Sequence, residues 1–176
     1  PPNSIFTILG LQCTDSWYVA HTEDLLYRSG YGEFVKAGPK SDFLRVLHSA
    51  GKLYEDSVSV EYEKKCIYID NMDNTIYSVN TQYAGNSVGF KKLAFRLAIR
   101  KAHYEGWLAE HMLLMGVHGP KARKTYFAGA FPSACGKTST AMLPGETILG
   151  DDIAYIRSID SIARAVNVES GIFGII

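Results

Sequence analysis

The sequence predicts an α/β fold that carries a phosphate-binding strand–loop–helix, and two observations lead to this prediction. The first is the order of segments within 124–152: an apolar run, a turn, Gly-Lys-Thr at 136–138, a short helical piece, and a second apolar run that stops at two aspartates. The second is a group of strand-like runs in the first half of the chain, followed by a long helical pattern at 90–115. Strands and helices thus surround a loop whose composition suits phosphate.

The turn at 132–136 would bind phosphate through its backbone, because N–H groups of a turn and a helix N-terminus point at the bound oxygens. Lys137 would place a positive charge over the outer phosphates, and the Thr138 hydroxyl could contact a divalent ion. Asp151 and Asp152 follow the next strand and supply hard oxygen ligands for such an ion. This segment is therefore the candidate site for phosphate and metal.

The match to a phosphate loop is incomplete. The full pattern has a glycine five residues before Gly136, where this chain has Phe131. Gly-Lys-Thr also occurs by chance, and an acidic pair after a strand often forms a turn or a helix cap. The strand before the loop, the helix after it and the acids beyond favour phosphate binding over these alternatives.

The composition is that of an ordinary globular protein, with 47% hydrophobic and 20% charged residues in 176. The formal net charge is zero, so nothing suggests a nucleic-acid partner or an anionic membrane surface. No apolar run approaches the roughly 20 residues that cross a bilayer, and the chain opens without a signal-type segment. Cys13, Cys66 and Cys135 form no CxxC pair, which favours a reducing, cytoplasmic setting over a structural zinc site.

Hydrophobic periodicity predicts the other elements. Residues 15–20 are ambiguous between a strand and a first helical turn, and Ser41-Asp42 could cap a short helix that reaches His48. The pattern at 90–115 predicts the longest helix, which Gly106 could bend or split. Strands are expected at 5–11, 57–61, 65–69 and 75–81, the last three as a meander.

Four short segments carry a family resemblance. In chain order they are Tyr83-Ala84-Gly85-Asn86-Ser87, Glu105-Gly106-Trp107-Leu108-Ala109-Glu110-His111-Met112, Phe131-Pro132-Ser133-Ala134-Cys135-Gly136-Lys137-Thr138 and Gly150-Asp151-Asp152-Ile153-Ala154. They resemble the substrate loop, the metal-histidine segment, the phosphate loop and the metal-aspartate segment of GTP-dependent phosphoenolpyruvate carboxykinases. A weaker likeness extends from Leu11 to Gly174.

The resemblance implies the mixed-sheet α/β fold of that family with its P-loop-type strand–loop–helix, incomplete in this chain. Residues 1–105 would be the end of the N-terminal substrate lobe, and 106–176 would be the start of the nucleotide- and metal-binding lobe. Family members are much longer, so the chain is expected to be an interior segment that is inactive alone.

The metal ligands implied by the resemblance are Lys91, His111 and Asp152, with Asp151 as a neighbour that acts through the nucleotide metal and Thr138. Lys92 would take the place of Lys91 if the substrate loop aligned without a gap. A lysine binds metal only when it is neutral, so burial and the cation must lower its pKa. Two nitrogens and a carboxylate suit Mn²⁺ better than Mg²⁺, and a second Mg²⁺ or Mn²⁺ would accompany GTP.

The remaining site residues implied by the resemblance divide by ligand. The substrate is expected to contact Tyr83, Ala84, Gly85 and Ser133, and the nucleotide is expected to contact Ala134, Cys135, Gly136, Lys137, Thr138 and Ser139. Catalytic roles fall on Lys91, Lys137 and Cys135. A helix N-terminus would make the Cys135 thiol reactive, yet phosphoryl transfer needs no covalent intermediate, so a role in loop conformation is favoured.

The reaction implied is oxaloacetate plus GTP to phosphoenolpyruvate, GDP and CO₂, through a metal-stabilised enolate and in-line phosphoryl transfer. The complete protein is expected to be a cytoplasmic monomer that acts on small molecules. The alternatives are another phosphate-loop kinase or NTPase, a carboxykinase that uses ATP or pyrophosphate, and a non-catalytic nucleotide-binding module. A generic NTPase has no use for Tyr83, Lys91 and His111, which distinguishes it from a carboxykinase.

Overall fold

A computed structural model describes residues 4–26, 31–56, 59–81 and 87–169. The chain forms two compact units, Pro1–Arg100 and Lys101–Ile176. Both units combine strands with helices. The sheet of the first unit contains parallel and antiparallel pairs, and the described sheets of the second unit contain antiparallel pairs, which confirms the predicted mixed α/β class.

The first unit is built on a four-stranded sheet. Its elements in chain order are β1 (Gly10–Thr14), α1 (Trp17–Leu26), α2 (Tyr31–Ala37), β2 (Leu44–Ser49), β3 (Cys66–Asp70), β4 (Thr75–Val79) and α3 (Ser87–Glu105). The strand order is β1–β2–β4–β3, with β2 parallel to both of its neighbours and β3 antiparallel to β4. Alternate residues of β2 and most of β4 are buried and form the core with Leu97 and Ala98 of α3.

Polar side chains join the carboxyl ends of the parallel strands. Thr14 Oγ1 lies 2.7 Å from Nδ1 of the buried His48, whose Nε2 lies 2.8 Å from the Thr81 carbonyl oxygen. Because a carbonyl only accepts, Nε2 carries the proton and donates it. Ser78 and Thr81 share a further hydroxyl–hydroxyl bond of 2.7 Å. These bonds satisfy groups that burial would otherwise leave costly.

The predicted helix at 41–48 is wrong, because this segment leads into strand β2. The Ser41 hydroxyl bonds back to the Ala37 carbonyl, 2.6 Å away, so it closes the preceding helix and does not cap a new one. The residues that follow alternate between buried and partly exposed positions, which is the period of a strand. Leu44, Val46 and His48 are the buried members.

The other predictions for the first unit are partly confirmed. The strand expected at 5–11 begins only at Gly10, because residues 4–7 form a turn. The ambiguous segment at 15–20 opens a helix, which the Ser16 side chain caps through a 3.4 Å bond from the Val19 N–H. The strands at 65–69 and 75–81 form the β3–β4 hairpin. Instead of the strand at 57–61, the described part of this segment shows a single bridge, from Leu53 to Ser59.

The long helix predicted at 90–115 is wrong beyond residue 105. Gly106 adopts a left-handed conformation with φ of 72°, and the Trp107 N–H bonds to the Ala102 carbonyl at 3.0 Å. A hydrogen bond from an N–H to the carbonyl five residues earlier is typical of a helix that ends on a left-handed glycine. The residues that follow are strands, so His111 does not lie on a helix.

Replacing Gly106 with alanine should lower the free energy of unfolding by about 1 kcal/mol, because an L-residue is strained at this φ. An added Cβ would meet nothing within 4 Å, so the cost is conformational and not steric. Urea denaturation followed by circular dichroism measures the change. Gly32→Ala is the control, since that position is also open and lacks a left-handed φ. Equal midpoints for the two variants would contradict the prediction.

The described residues of the second unit, 101–169, form two three-stranded sheets. Its elements are β5 (Leu108–Glu110), β6 (Met112–His118), β7 (Lys124–Ala130), α4 (Lys137–Ala141), β8 (Thr147–Gly150), β9 (Ala154–Ile159) and β10 (Ile162–Asn167). The sheets have the orders β10–β9–β5 and β7–β6–β8, and all pairs are antiparallel. The predicted strands at 125–131 and 147–150 and the helix between them are confirmed as β7, β8 and α4.

Two connections in the second unit pass from one sheet to the other. His111 alone separates β5 from β6, and residues 151–153 separate β8 from β9. Since Glu110 pairs with Ala154 and Leu114 pairs with Gly150, the two connections run side by side in opposite directions. We call them the paired crossings.

None of the described helices combines the length and the apolar character that a membrane-spanning helix requires.

Candidate phosphate- and metal-binding site

The paired crossings place His111 beside Asp152. Neither residue belongs to a ladder, so both side chains are presented from the gap between the two sheets. His111 Nε2 is in contact with Asp152 Oδ1. The register of four strands therefore brings together two residues that lie 41 positions apart in the chain.

Lys137 reaches the same point from the first residue of α4. Its Nζ lies 2.7 Å from His111 Nε2 and also contacts Asp152 Oδ1. The Lys137 and Asp152 side chains are 14% and 13% exposed, so their ion pair is shielded from solvent, whereas His111 is 47% exposed. The predicted phosphate lysine thus meets two of the predicted metal ligands.

His111 Nε2 faces both charged groups at this point. It could accept a hydrogen bond from the Lys137 ammonium only when unprotonated, and it could donate one to the Asp152 carboxylate only when protonated, so the two contacts require opposite forms of the imidazole. A metal ion binds the neutral imidazole through a nitrogen lone pair.

The loop before Lys137 turns through two left-handed residues, Ala134 with φ of 60° and Gly136 with φ of 89°. The Cys135 N–H bonds to the Pro132 carbonyl at 3.3 Å, and the Thr140 hydroxyl bonds to the Gly136 carbonyl at 2.8 Å. These bonds fix the turn and the start of α4. Successive N–H groups in such a turn form a concave surface that favours anions.

The other predicted phosphate-loop residues differ in exposure. Ser133, Ala134, Cys135 and Ser139 are exposed, and Thr138 is partly buried. Cys135, like Cys13 and Cys66, carries no disulfide. The roles assigned to these residues stay predictions.

The two aspartates after β8 have different surroundings. Asp151 is 3% exposed, and Asp152 is partly buried with its carboxylate on Lys137 and His111. The predicted role of Asp151 beside the nucleotide metal stays a prediction.

Trp107, which sequence reasoning did not single out, lies just before β5, the strand that ends next to His111. Its ring lies under the Arg157 guanidinium at 4.6 Å and against Tyr155 at 5.2 Å, and its indole N–H donates to Glu105 at 2.7 Å. The Lys101 ammonium and then this indole hold the pKa of Glu105 below its usual value, and burial raises the pKa of Tyr155 to about 12. The position of Trp107 next to Gly106, in the segment that contains His111, was the sequence signal that could have identified it.

Lys91 belongs to the first unit, on α3, where it is 6% exposed, while its neighbour Lys92 is exposed. Its convergence with His111 and Asp152 stays a prediction. The predicted substrate residues Tyr83, Ala84 and Gly85 lie outside the described residues.

The donors gathered in the second unit fit a divalent ion. One imidazole nitrogen and one carboxylate meet at a single point, and a further ligand is required to complete a site. Within the described ranges, no three His, Cys, Asp or Glu side chains lie close enough together to bind metal. A third ligand from this part of the chain would therefore be of another type, as the prediction of a lysine requires.

Two family models match the chain and together cover nearly all of it. The phosphoenolpyruvate carboxykinase N-terminal domain matches residues 1–103, and the phosphoenolpyruvate carboxykinase C-terminal P-loop domain matches residues 107–176. The division between them falls near Gly106, where α3 ends.

Curated relatives named phosphoenolpyruvate carboxykinase [GTP] are similar over the whole chain. The protein of Pyrococcus horikoshii is 62% identical over 176 residues, and that of Thermococcus kodakarensis is 60% identical; each match covers 100% of this chain and 28% of the relative. The protein of Saccharolobus solfataricus is 49% identical, with 100% and 27% covered. The chain therefore spans little more than a quarter of the length of these relatives.

Proposed function

Because the chain belongs to the phosphoenolpyruvate carboxykinase family, we propose that the protein of which it forms a part converts oxaloacetate and GTP to phosphoenolpyruvate, GDP and CO₂. Residues 1–105 would contribute to the substrate lobe, and 106–176 would contribute the metal- and phosphate-binding start of the nucleotide lobe. The names of the relatives support GTP as the phosphoryl donor.

The observation that carries this proposal is the meeting of Lys137 with His111 and Asp152. Phosphoryl transfer to an enolate requires the phosphate and the metal to be bound next to each other. The three side chains come from three separate sequence segments, and a lysine from a phosphate loop lies within 2.7 Å of a predicted metal ligand.

We propose Lys91, His111 and Asp152 as ligands of a catalytic divalent ion, with Mn²⁺ preferred for its affinity for nitrogen donors. When bound, this ion supplies Lewis-acid stabilisation of negative charge that develops on the substrate. The burial of Lys91 and the exposure of Lys92 support the choice of Lys91, because a metal-binding amine must be neutral.

The chain's own residues would orient and neutralise the reacting groups. Loss of CO₂ from oxaloacetate leaves an enolate oxygen, which takes the γ-phosphoryl group of GTP. Lys137 would offset the charge on that group, and the loop N–H groups at 133–136 would hold the neighbouring phosphates. We place a second Mg²⁺ or Mn²⁺ near Thr138, in contact with GTP.

Substrate contacts are proposed for Ser133 in the phosphate loop and for the segment at 83–85. The exposure of Ser133 supports its access to a ligand. For Cys135 we propose a role in loop conformation, because the bond from its N–H to Pro132 helps to close the turn.

A generic phosphate-loop NTPase is less well supported by these contacts. Such an enzyme needs the lysine of the loop for phosphate, but it has no need of a histidine on the same ammonium group. We also propose a cytoplasmic location, in keeping with three cysteines that form no disulfide. The monomeric state stays a prediction.

The decisive experiment is CO₂ release from oxaloacetate by the complete protein with Mn²⁺, using GTP, ATP and pyrophosphate in parallel. We expect release that depends on GTP and yields phosphoenolpyruvate in equal amount. Release with another donor alone would correct the donor and keep the carboxykinase chemistry. No release with any of the three would remove the support for the proposal.

A further inference from the structure

We infer that Asn167 is a positioning residue for the aspartate of the proposed metal site, because it holds both ends of the crossing that presents Asp152. Asn167 is the last residue of β10 and pairs with Ala154, the first residue of β9. Its side chain also lies against Gly150, the last residue of β8. Asn167 therefore lies against the residues at both ends of the connection 151–153.

The contact at Gly150 leaves no room for a side chain. A Cβ added there would lie 2.2 Å from Cγ, 2.4 Å from Oδ1 and 2.6 Å from Cβ of Asn167. Real Cβ atoms do not approach other heavy atoms this closely, so an alanine would force the strand end or the asparagine to move. Glycine at 150 is thus explained by the approach of Asn167.

The Asn167 side chain is not free to swing aside. Its Nδ2 donates to the Glu169 carbonyl at 2.9 Å, and its Oδ1 accepts from the Glu169 N–H at 3.3 Å. These two bonds hold the amide in one orientation. Glu169 is 3% exposed, so the residue to which the amide is bonded is itself buried.

A shift at Gly150 would be passed to Asp152, which lies only two residues further along. Metal ligands must lie within about 0.2 Å of their required distances from the ion. A small displacement of this carboxylate should therefore weaken binding of the ion. Asn167 is not among the residues proposed to bind the ion or the substrate. Its effect is on the position of the ligand.

This inference rests on the proposed function, and Mn²⁺ binding to the complete protein without nucleotide tests it. The amount of free Mn²⁺ is read from its electron paramagnetic resonance signal. We expect Gly150→Ala to weaken binding about 10-fold or more, since ligand geometry controls affinity. Asn167→Gly in that background should restore affinity to within about threefold of Asn167→Gly alone.

The matched comparison is Asn167→Ala in the Gly150→Ala background. Alanine keeps the Cβ that would lie 2.6 Å from the new methyl group, so it should restore much less affinity than glycine does. Equal rescue by the two substitutions, or simple addition of the single effects, would overturn the inference. Melting temperatures measured alongside separate a loss of ligand geometry from a general loss of stability.

If Gly150→Ala does not fold, Asn167→Gly alone remains decisive. It should weaken Mn²⁺ binding several-fold while the protein stays folded, and unchanged affinity would refute the role of Asn167. Asp152→Asn in the same assay identifies the site. If Asp152→Asn leaves the Mn²⁺ binding of the wild type unchanged, or if the wild type binds no Mn²⁺, both the proposed metal site and the inference fail. If Asp152→Asn abolishes binding but the Gly150 and Asn167 variants bind Mn²⁺ normally, only the inference fails.

Discussion

Replacing Lys137 with methionine should lower kcat for phosphoenolpyruvate formation by about 1,000-fold or more while leaving the fold intact. The loss of one preorganised charge that stabilises a transferring phosphoryl group has an effect of this size. Methionine has a side chain of similar shape up to Cε and lacks the ammonium group that contacts His111 and Asp152. Steady-state assays of the complete protein with GTP measure the loss.

Two controls accompany this variant. Lys36→Met removes an exposed lysine on α2 and should leave kcat unchanged. Mn²⁺ binding to Lys137→Met should persist, because the proposed ligands remain. Normal turnover by Lys137→Met would show that the ammonium group has no part in the transfer.

Replacing Asp152 with asparagine should weaken Mn²⁺ binding by about 100-fold or more and reduce activity in parallel. The amide has nearly the shape of the carboxylate but lacks the charge that a divalent ion requires. It also removes the anionic partner of Lys137, which is 14% exposed. Calorimetric titration with Mn²⁺ gives the affinity directly.

Asp160→Asn is the matched control for this substitution. Asp160 is exposed, lies in the turn between β9 and β10 and has φ of 52°, a conformation that asparagine tolerates well. Its Mn²⁺ affinity should equal that of the wild type. If Asp152→Asn binds Mn²⁺ as tightly as this control, Asp152 is not a ligand.

The strand–loop–helix–strand around Lys137 could be predicted from sequence because its signals are local. Two apolar runs are each bounded by turn residues, and Gly136 stands before the helix with a left-handed φ. The structure places these elements within one or two residues of the prediction. Local chemistry was sufficient here.

The segment after Gly106 shows why spacing alone misleads. Apolar residues repeat every three or four positions through 108–115, as in a helix, yet they lie on two short strands in different sheets. A largely buried strand is apolar on both faces, so it has no clear period. Gly106 was the stronger signal, since a left-handed glycine ends a helix.

The meeting of His111, Lys137 and Asp152 could be expected only through the family resemblance. It depends on the pairing of β5 with β9 and of β6 with β8, which joins residues about 40 positions apart. Periodicity and turn residues carry no information about which strands will pair. Trp107 and Asn167 were missed for the same reason, since the contacts of Trp107 with Tyr155 and Arg157 and of Asn167 with Gly150 depend on which strands pair.

The paired crossings separate chemistry from architecture. His111 and Asp152 stand between ladders, so neither backbone contributes to the pairing that holds a sheet together. Substitution of either side chain should therefore leave the hydrogen bonds between the strands in place. The strands in turn can vary in sequence as long as the two connections stay aligned. A scaffold of this kind lets the reactive groups and the supporting framework change independently.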